Sequence, residues 1–160
     1  MQDNPLNTAD IIFNSKPDAV PYNYRISYKV SQLCLILRIC GRGNVCSLVK
    51  IHMISFALIS QSNMDKLISF VGDDGYSPIV RFDPAVNRAL TFAIAYGFVE
   101  QQQTGKFKLT DGGERLAEQI KVVKDLMVSE IESLNLLAKK LTENKIEALM
   151  DRWRDSHAED

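Results

Sequence analysis

Three cysteines and one internal histidine are the first residues whose types could do chemistry. Cys34, Cys40 and Cys46 make an odd count and contain no Cys-x-x-Cys pair, so they spell out neither a disulfide framework nor a familiar zinc ligand pair. Cys40, Cys46 and His52 are a conceivable zinc set, but their spacing matches no known pattern. The expectation is small buried hydrophobes in a reducing compartment. His52 falls inside an apolar helical run with no nucleophile or carboxylate partner in the local sequence, and is expected as a half-buried or surface side chain rather than a catalytic base. The second histidine, His157, falls in a polar tail. The acids Asp73 and Asp74, between Gly72 and Gly75, lack the alternating oxygen ligands and distal Glu of a calcium loop and read as a solvated turn. Glu159 and Asp160 are paired, but in the tail. Gly-rich phosphate loops, His-Glu-x-x-His and nucleophile elbows do not occur. No catalytic residue, cofactor-binding residue or metal ligand is assigned, and the expectation is a non-enzyme without a cofactor.

The remaining candidates are cations. Arg81, Arg88, Lys106 and Lys108 cluster in the middle of the chain, with the two lysines at alternate positions. They could touch phosphates without choosing a sequence, or be scattered solvated charges. The chain holds 19 Lys+Arg against 20 Asp+Glu, for a net charge of -1. A dedicated DNA binder of this size is usually basic, so any nucleic-acid contact must be a local patch. Cations exceed acids only over residues 1–60, by six to three. The 46% hydrophobic and 24% charged content excludes whole-chain disorder, collagen and coiled coil. No run of about 18 apolar residues suggests a membrane span, and no basic-then-apolar leader opens the chain. The expected address is the cytoplasm, without membrane contact.

These residues sit on a mainly helical pattern. Residues 1–24, with Pro5, Pro17 and Pro21 among Leu6, Ile11, Ile12 and Phe13, predict an extended arm. The spacing predicts a helix over 26–40 with an apolar face wide enough for contacts on several sides, ended by a left-handed Gly41. Ser47 caps a second helix, and Ser62 or Asn63 a short third. A short extended piece, Pro78–Phe82, precedes Asp83-Pro84, which reads as an N-cap followed by proline at the first helical position. That helix, PAVNRALTFAIAY, stops at Gly97. Phe98–Gln102 and Lys106–Leu109 flank Gly105 as a β-hairpin, and Thr110-Asp111 caps a further helix whose Gly112 and Gly113 allow close packing on the hairpin. From Arg115 the apolar positions Leu116, Ile120, Val123, Met127, Ile131 and Leu134 advance by three or four to about Lys140. They predict one long amphipathic helix leaving the body, whose stripe must pack back, dimerise or bind another protein. A last short helix is expected over 144–154. The expected organisation is therefore an arm (1–24), a globular domain (25–120), a helical arm (121–154) and a frayed tail (155–160).

Gly97-Phe98-Val99 at the helix exit, Gly105 at the hairpin tip and Leu109-Thr110 with Gly113 at its return resemble a winged helix-turn-helix domain, over roughly residues 28–120. Such domains serve DNA binding and protein assembly alike. In a DNA reader the helix before the hairpin enters the major groove and offers polar side chains to base edges. Here only Asn87, Arg88 and Thr91 are polar. One arginine cannot read a site when each good base contact supplies about 1–3 kcal/mol of discrimination, so the helix is expected to be buried.

The layout of arm, "RISYKVSQLCLILRI", "SLVKIHMISFALIS" and "KFKLTDGGERLAEQI" is similar to the small middle subunits of three-component ABC-ATPase conflict systems, the group that includes Lamassu-type antiviral defence. That resemblance implies a non-enzymatic accessory subunit bridging an SMC-like ATPase and an effector such as a nuclease, with nonspecific DNA contact allowed. The stripe Leu116, Ile120, Val123, Met127, Ile131 and Leu134 would be its partner-binding face. The alternative is a homodimeric winged-helix transcriptional regulator, with the long helix as the dimer contact.

Overall fold

The computed structural model describes residues 25–75, 77, 78 and 80–159. The arm expected for 1–24 lies outside the described residues. The elements are α1 (Ile26–Cys40), β1 (Val45–Cys46), α2 (Leu48–Ala57), α3 (Gln61–Val71), α4 (Pro84–Ala95), β2 (Val99–Gln101), β3 (Phe107–Leu109), α5 (Asp111–Val122), α6 (Val128–Leu137) and α7 (Glu143–Ala158). The described chain is thus mainly helical with one small antiparallel sheet, in strand order β1-β3-β2.

Helix α1 is the centre of the body. Leu33, Cys34, Leu35, Ile36 and Leu37 have almost no exposed surface, because α2, α4, α5 and α6 all pack on it. The wide apolar face of residues 26–40 requires such wrapping. Gly41 ends the helix in extended backbone, with φ -80 and ψ 127, not in the left-handed conformation expected of it. Its need is for space. A Cβ there would lie 2.5 Å from Leu37 O and 2.9 Å from Val45 N. The left-handed residues of this turn are Gly43 and Asn44.

The turn delivers β1, a strand two residues long that the alternation of the sequence does not reveal. Val45 pairs with Lys108 and Cys46 with Phe107, and β3 pairs in turn with β2 through Val99–Leu109 and Gln101–Phe107. Phe107 and Leu109 enter the core, while Lys106 and Lys108 alternate to the other face. Ser47 caps α2 by accepting from Lys50 N–H at 3.2 Å. Ser60, rather than Ser62 or Asn63, caps α3, accepting from Asn63 N–H at 3.1 Å. No strand forms among the described residues of 77–82. Thr110 caps α5 through Gly113 N–H at 3.1 Å.

The largest departure from the expected layout lies after Ile120. The predicted long helix is broken. Val123 leaves helical backbone, Asp125 and Met127 adopt φ of 64 and 49, and α6 turns back against α1. Ile120, Met127 and Leu134 are buried, as are Leu137 and Leu141 beyond them. Leu116 and Ile131 are half-buried, and Val123 alone of the stripe is exposed. The stripe is therefore a seam of the chain's own core, and most of it is closed to a partner. The balance of energies favours this. Each non-glycine left-handed residue costs roughly 1–2 kcal/mol, whereas fully burying one Leu or Met side chain returns about 1.5–3 kcal/mol. Tyr28 of α1 donates its hydroxyl to the Glu130 carboxylate of α6, and Arg38 reaches Glu118 Oε1 at 2.9 Å and Glu114 Oε1 at 3.3 Å on α5.

Helix α7 is also part of the body at its start. Glu143 Oε1 accepts from Ser47 N–H at 2.8 Å, and Lys145 Nζ donates to Val71 O, the end of α3, at 2.8 Å. Ile146 and Leu149 are buried. The helix continues to Ala158, so residues 155–158, expected as a frayed tail, are helical.

Candidate functional site

Both ends of α4 are locked by side-chain chemistry. At its start, Asp83 accepts from Ala85 N–H at 2.9 Å, which answers one of the unpaired first-turn amides. The Asp83 N–H donates to His52 Nδ1 at 3.1 Å, and His52 Nε2 lies 3.0 Å from Asn87 Oδ1. Because a backbone N–H can only donate, Nδ1 is the acceptor and Nε2 carries the proton given to Asn87. His52 is thus a neutral tether between α2 and the first turn of α4. It is 1% exposed, more buried than expected, with its ring 4.8 Å from that of Phe82. Burial lowers its pKa below the ordinary 6.5, against the opposing pull of the Asn87 bond and Asp83. Lys29, also buried, lies 3.9 Å from Asp83 Oδ2. Burial lowers its pKa as well, with Asp83 acting the other way.

At the far end, Gly97 takes φ 77, a conformation that favours glycine, and Phe98 N–H returns to Ala93 O at 2.9 Å. Thr110 donates its hydroxyl to Gly97 O and its N–H to Phe98 O at 3.0 Å. The exit of α4, the hairpin and the start of α5 therefore form one bonded unit.

What α4 presents from this mount differs from the burial expected for it. Ala85, Val86, Ala89, Leu90 and Ala93 face the core. Phe92, Ile94 and Tyr96 are 42%, 41% and 66% exposed, and Phe82 just before the helix is exposed too. Val86 and Leu90 pack inward with the alanines, Phe92 and Tyr96 lie along one edge of that buried face and Ile94 along the other, and Asn87, Arg88, Thr91 and Ala95 make up the exposed side between them. Phe92 and Tyr96 stack with centroids 6.3 Å apart and planes at 22°, and Tyr96 meets Phe98 at 6.1 Å. The polar residues are partly used internally. The Asn87 oxygen is taken by His52, and Thr91 donates its hydroxyl to Asn87 O at 3.1 Å. Arg88 is exposed on this helix.

The four cations that could form a phosphate patch or stand as scattered charges have separate surroundings. Arg81 lies 5.5 Å above the Phe56 ring and lines a groove with Met53 and Leu67. Lys108 stands opposite Glu100 and Val45 in the sheet. Lys106 lines a different cavity, of about 590 Å³, together with Arg42, Lys50 and Lys139. These last three come from a turn, a helix and a link between helices, and nothing in their sequence spacing announces that they meet.

The cysteines are free and fully buried, and burial pushes each thiol up to about 12. Both nitrogens of His52 are occupied, so Cys40, Cys46 and His52 do not form a ligand set. Among the described residues no group of three His, Cys, Asp or Glu converges. Asp73 and Asp74 stand in an exposed turn, with Lys145 Nζ 3.4 Å from Asp73 Oδ1. No helix of the described chain is long and apolar enough to cross a membrane. No family model, curated protein or solved structure matches this chain.

Proposed function

We propose that the body is a winged helix-turn-helix domain used for protein assembly, in a non-enzymatic accessory subunit that joins an SMC-like ATPase to an effector in an antiviral defence complex. The observation that supports an assembly role is the Phe92–Tyr96 aromatic pair, exposed at the end of a helix held at both ends, with Ile94 exposed along its other edge. Aromatic anchors fixed in advance lose little entropy on docking and are the residue types that dominate protein interfaces. On its outward side a base-reading helix would offer several unengaged polar side chains, whereas here the Asn87 oxygen is taken by His52 and Thr91 bonds Asn87 O, which leaves Arg88 as the one charged side chain there. The element order, with a strand between the first two helices and a hairpin after α4, supports the winged-helix assignment. The choice of partner rests on the resemblance of the helical stretches to middle subunits of ABC-ATPase conflict systems.

The association face is accordingly relocated, from the stripe beginning at Leu116 to α4. Replacing an anchoring aromatic typically costs an interface about 2 kcal/mol or more. Tyr96→Glu and Phe92→Asp are each expected to weaken capture of the co-expressed ATPase at least about 30-fold, with the circular dichroism of the free subunit unchanged. Undiminished capture by both variants would reject α4 as the interface. Specific duplex binding that persists at about 150 mM salt and is lost in Arg88→Ala would favour the homodimeric transcriptional regulator instead.

A further inference from the structure

The cavity lined by Lys106 of the hairpin carries charge that the other described residues do not answer. Arg42 from the turn after α1, Lys50 from α2, Lys106 from the hairpin and Lys139 from the link after α6 line one recess, against the single carboxylate of Glu143. Among the described residues none of these four cations forms an ion pair. Lys50 is only 2% exposed. Its ammonium has three N–H donors, and one goes to Cys40 O at 2.8 Å. Glu143 is already engaged with Ser47 N–H. A buried lysine that shares a recess with three other cations is electrostatically costly unless an anion compensates it. The recess also receives the start of α7. Thr142, Glu143 and Asn144 line it, and the first amides of a helix have no carbonyl of that helix to donate to and carry its positive dipole end.

We propose that this cavity binds a small molecule carrying a diphosphate group. The lining has a formal excess of three positive charges, close to the charge of a diphosphate near neutral pH. The volume of about 590 Å³ leaves room for a substituent such as a nucleoside. A backbone phosphodiester carries one charge and is flanked by sugars on both sides, so it matches a recess floored by a buried lysine less well. Arg42 supplies the fork that suits paired phosphoryl oxygens. Lys50, Lys106 and Lys139 supply point charges, and the recess meets the positive dipole end of α7.

The test is calorimetric titration of the full chain with inorganic pyrophosphate and with ADP, at constant ionic strength, beside sulfate and a 12-residue single-stranded oligonucleotide as comparison ligands. Pyrophosphate or ADP should bind saturably and at least tenfold more tightly than sulfate. Arg42→Ala and Lys139→Ala alter exposed side chains and should each weaken that binding at least tenfold while leaving the thermal midpoint of the free protein unchanged. Lys66→Ala, away from the recess, should bind as the parent does. Absence of saturable pyrophosphate and ADP binding would overturn the assignment. So would undiminished binding by both variants, or binding confined to the oligonucleotide.

Discussion

Gly112 and Gly113 are neighbours at the start of α5, yet alanine should act on them in opposite directions. An alanine Cβ at Gly113 would stand 2.1 Å from Phe98 O and 2.5 Å from Leu109 Cδ1. A carbon and a carbonyl oxygen approach comfortably at roughly 3.3 Å or more, so the carbonyl would have to retreat by about an ångström. It is not free to do so. Phe98 O accepts from Thr110 N–H, and Phe98 N–H is bonded to Ala93 O. Losing one or two such bonds costs about 1 kcal/mol each, and overpacking adds about 1–3 kcal/mol. The higher helix propensity of alanine recovers at most about 1 kcal/mol. The net expectation for Gly113→Ala is a loss of about 2–4 kcal/mol, or roughly 6–12 °C in Tm for a chain of this size. At Gly112 the nearest atom to the new Cβ is Gly97 O at 3.5 Å, an ordinary contact. Gly112→Ala should therefore raise stability by about 0.4–1 kcal/mol through the unfolded chain. Urea titrations followed by circular dichroism give both values. A Gly113→Ala midpoint at or above that of the parent would refute the close packing of α5 on the hairpin exit.

Three further outcomes follow from the titratable groups. His52 binds a proton less readily in the folded chain than at its ordinary 6.5. The unfolded state then takes up more protons, so stability is present above about pH 6.5 and declines as pH falls below it. His52→Gln should flatten the urea midpoint just below pH 6.5, and an unchanged slope would count against the His52 tether. Glu118, lowered first by its Arg38 hydrogen bond, contributes stability that is present above its ordinary 4.5 and lost as pH falls through its lowered value, so its window lies beneath that of His52. The three thiols, each pushed up to about 12 by burial, should be inert to an aromatic disulfide reagent at pH 8 and react fully in denaturant. Rapid labelling of the folded protein would contradict their packing.

The features legible in the sequence are those whose cause is local. Ser47, Asp83-Pro84 and Thr110 announce helix starts because the capping atom and the amide it serves are two or three residues apart. The hairpin is legible because Phe107 and Leu109 alternate with Lys106 and Lys108 around Gly105. The fold-back after Ile120 is not, since the same three-and-four spacing suits a straight helix or one reversed at Val123, and the reversal is made by Asp125 and Met127 rather than by glycine. The exposed aromatics of α4 are obscured by composition. Apolar residues along both edges of its buried face blur the periodic contrast that would orient the helix. The cationic recess joins Arg42 to Lys139, and only tertiary structure brings such distant residues together.

The wrapping of α1 sets an order on the birth of the molecule. This segment leaves the ribosome first among the described elements, while α4, α5 and α6, which cover it, follow some 45 to 100 residues later. At about 5–20 residues per second, its leucines and isoleucines stay uncovered for several seconds of synthesis. The nascent chain is therefore a natural client for chaperones that shield greasy segments, and its yield in cells should fall when they are depleted, even though the finished protein is well packed.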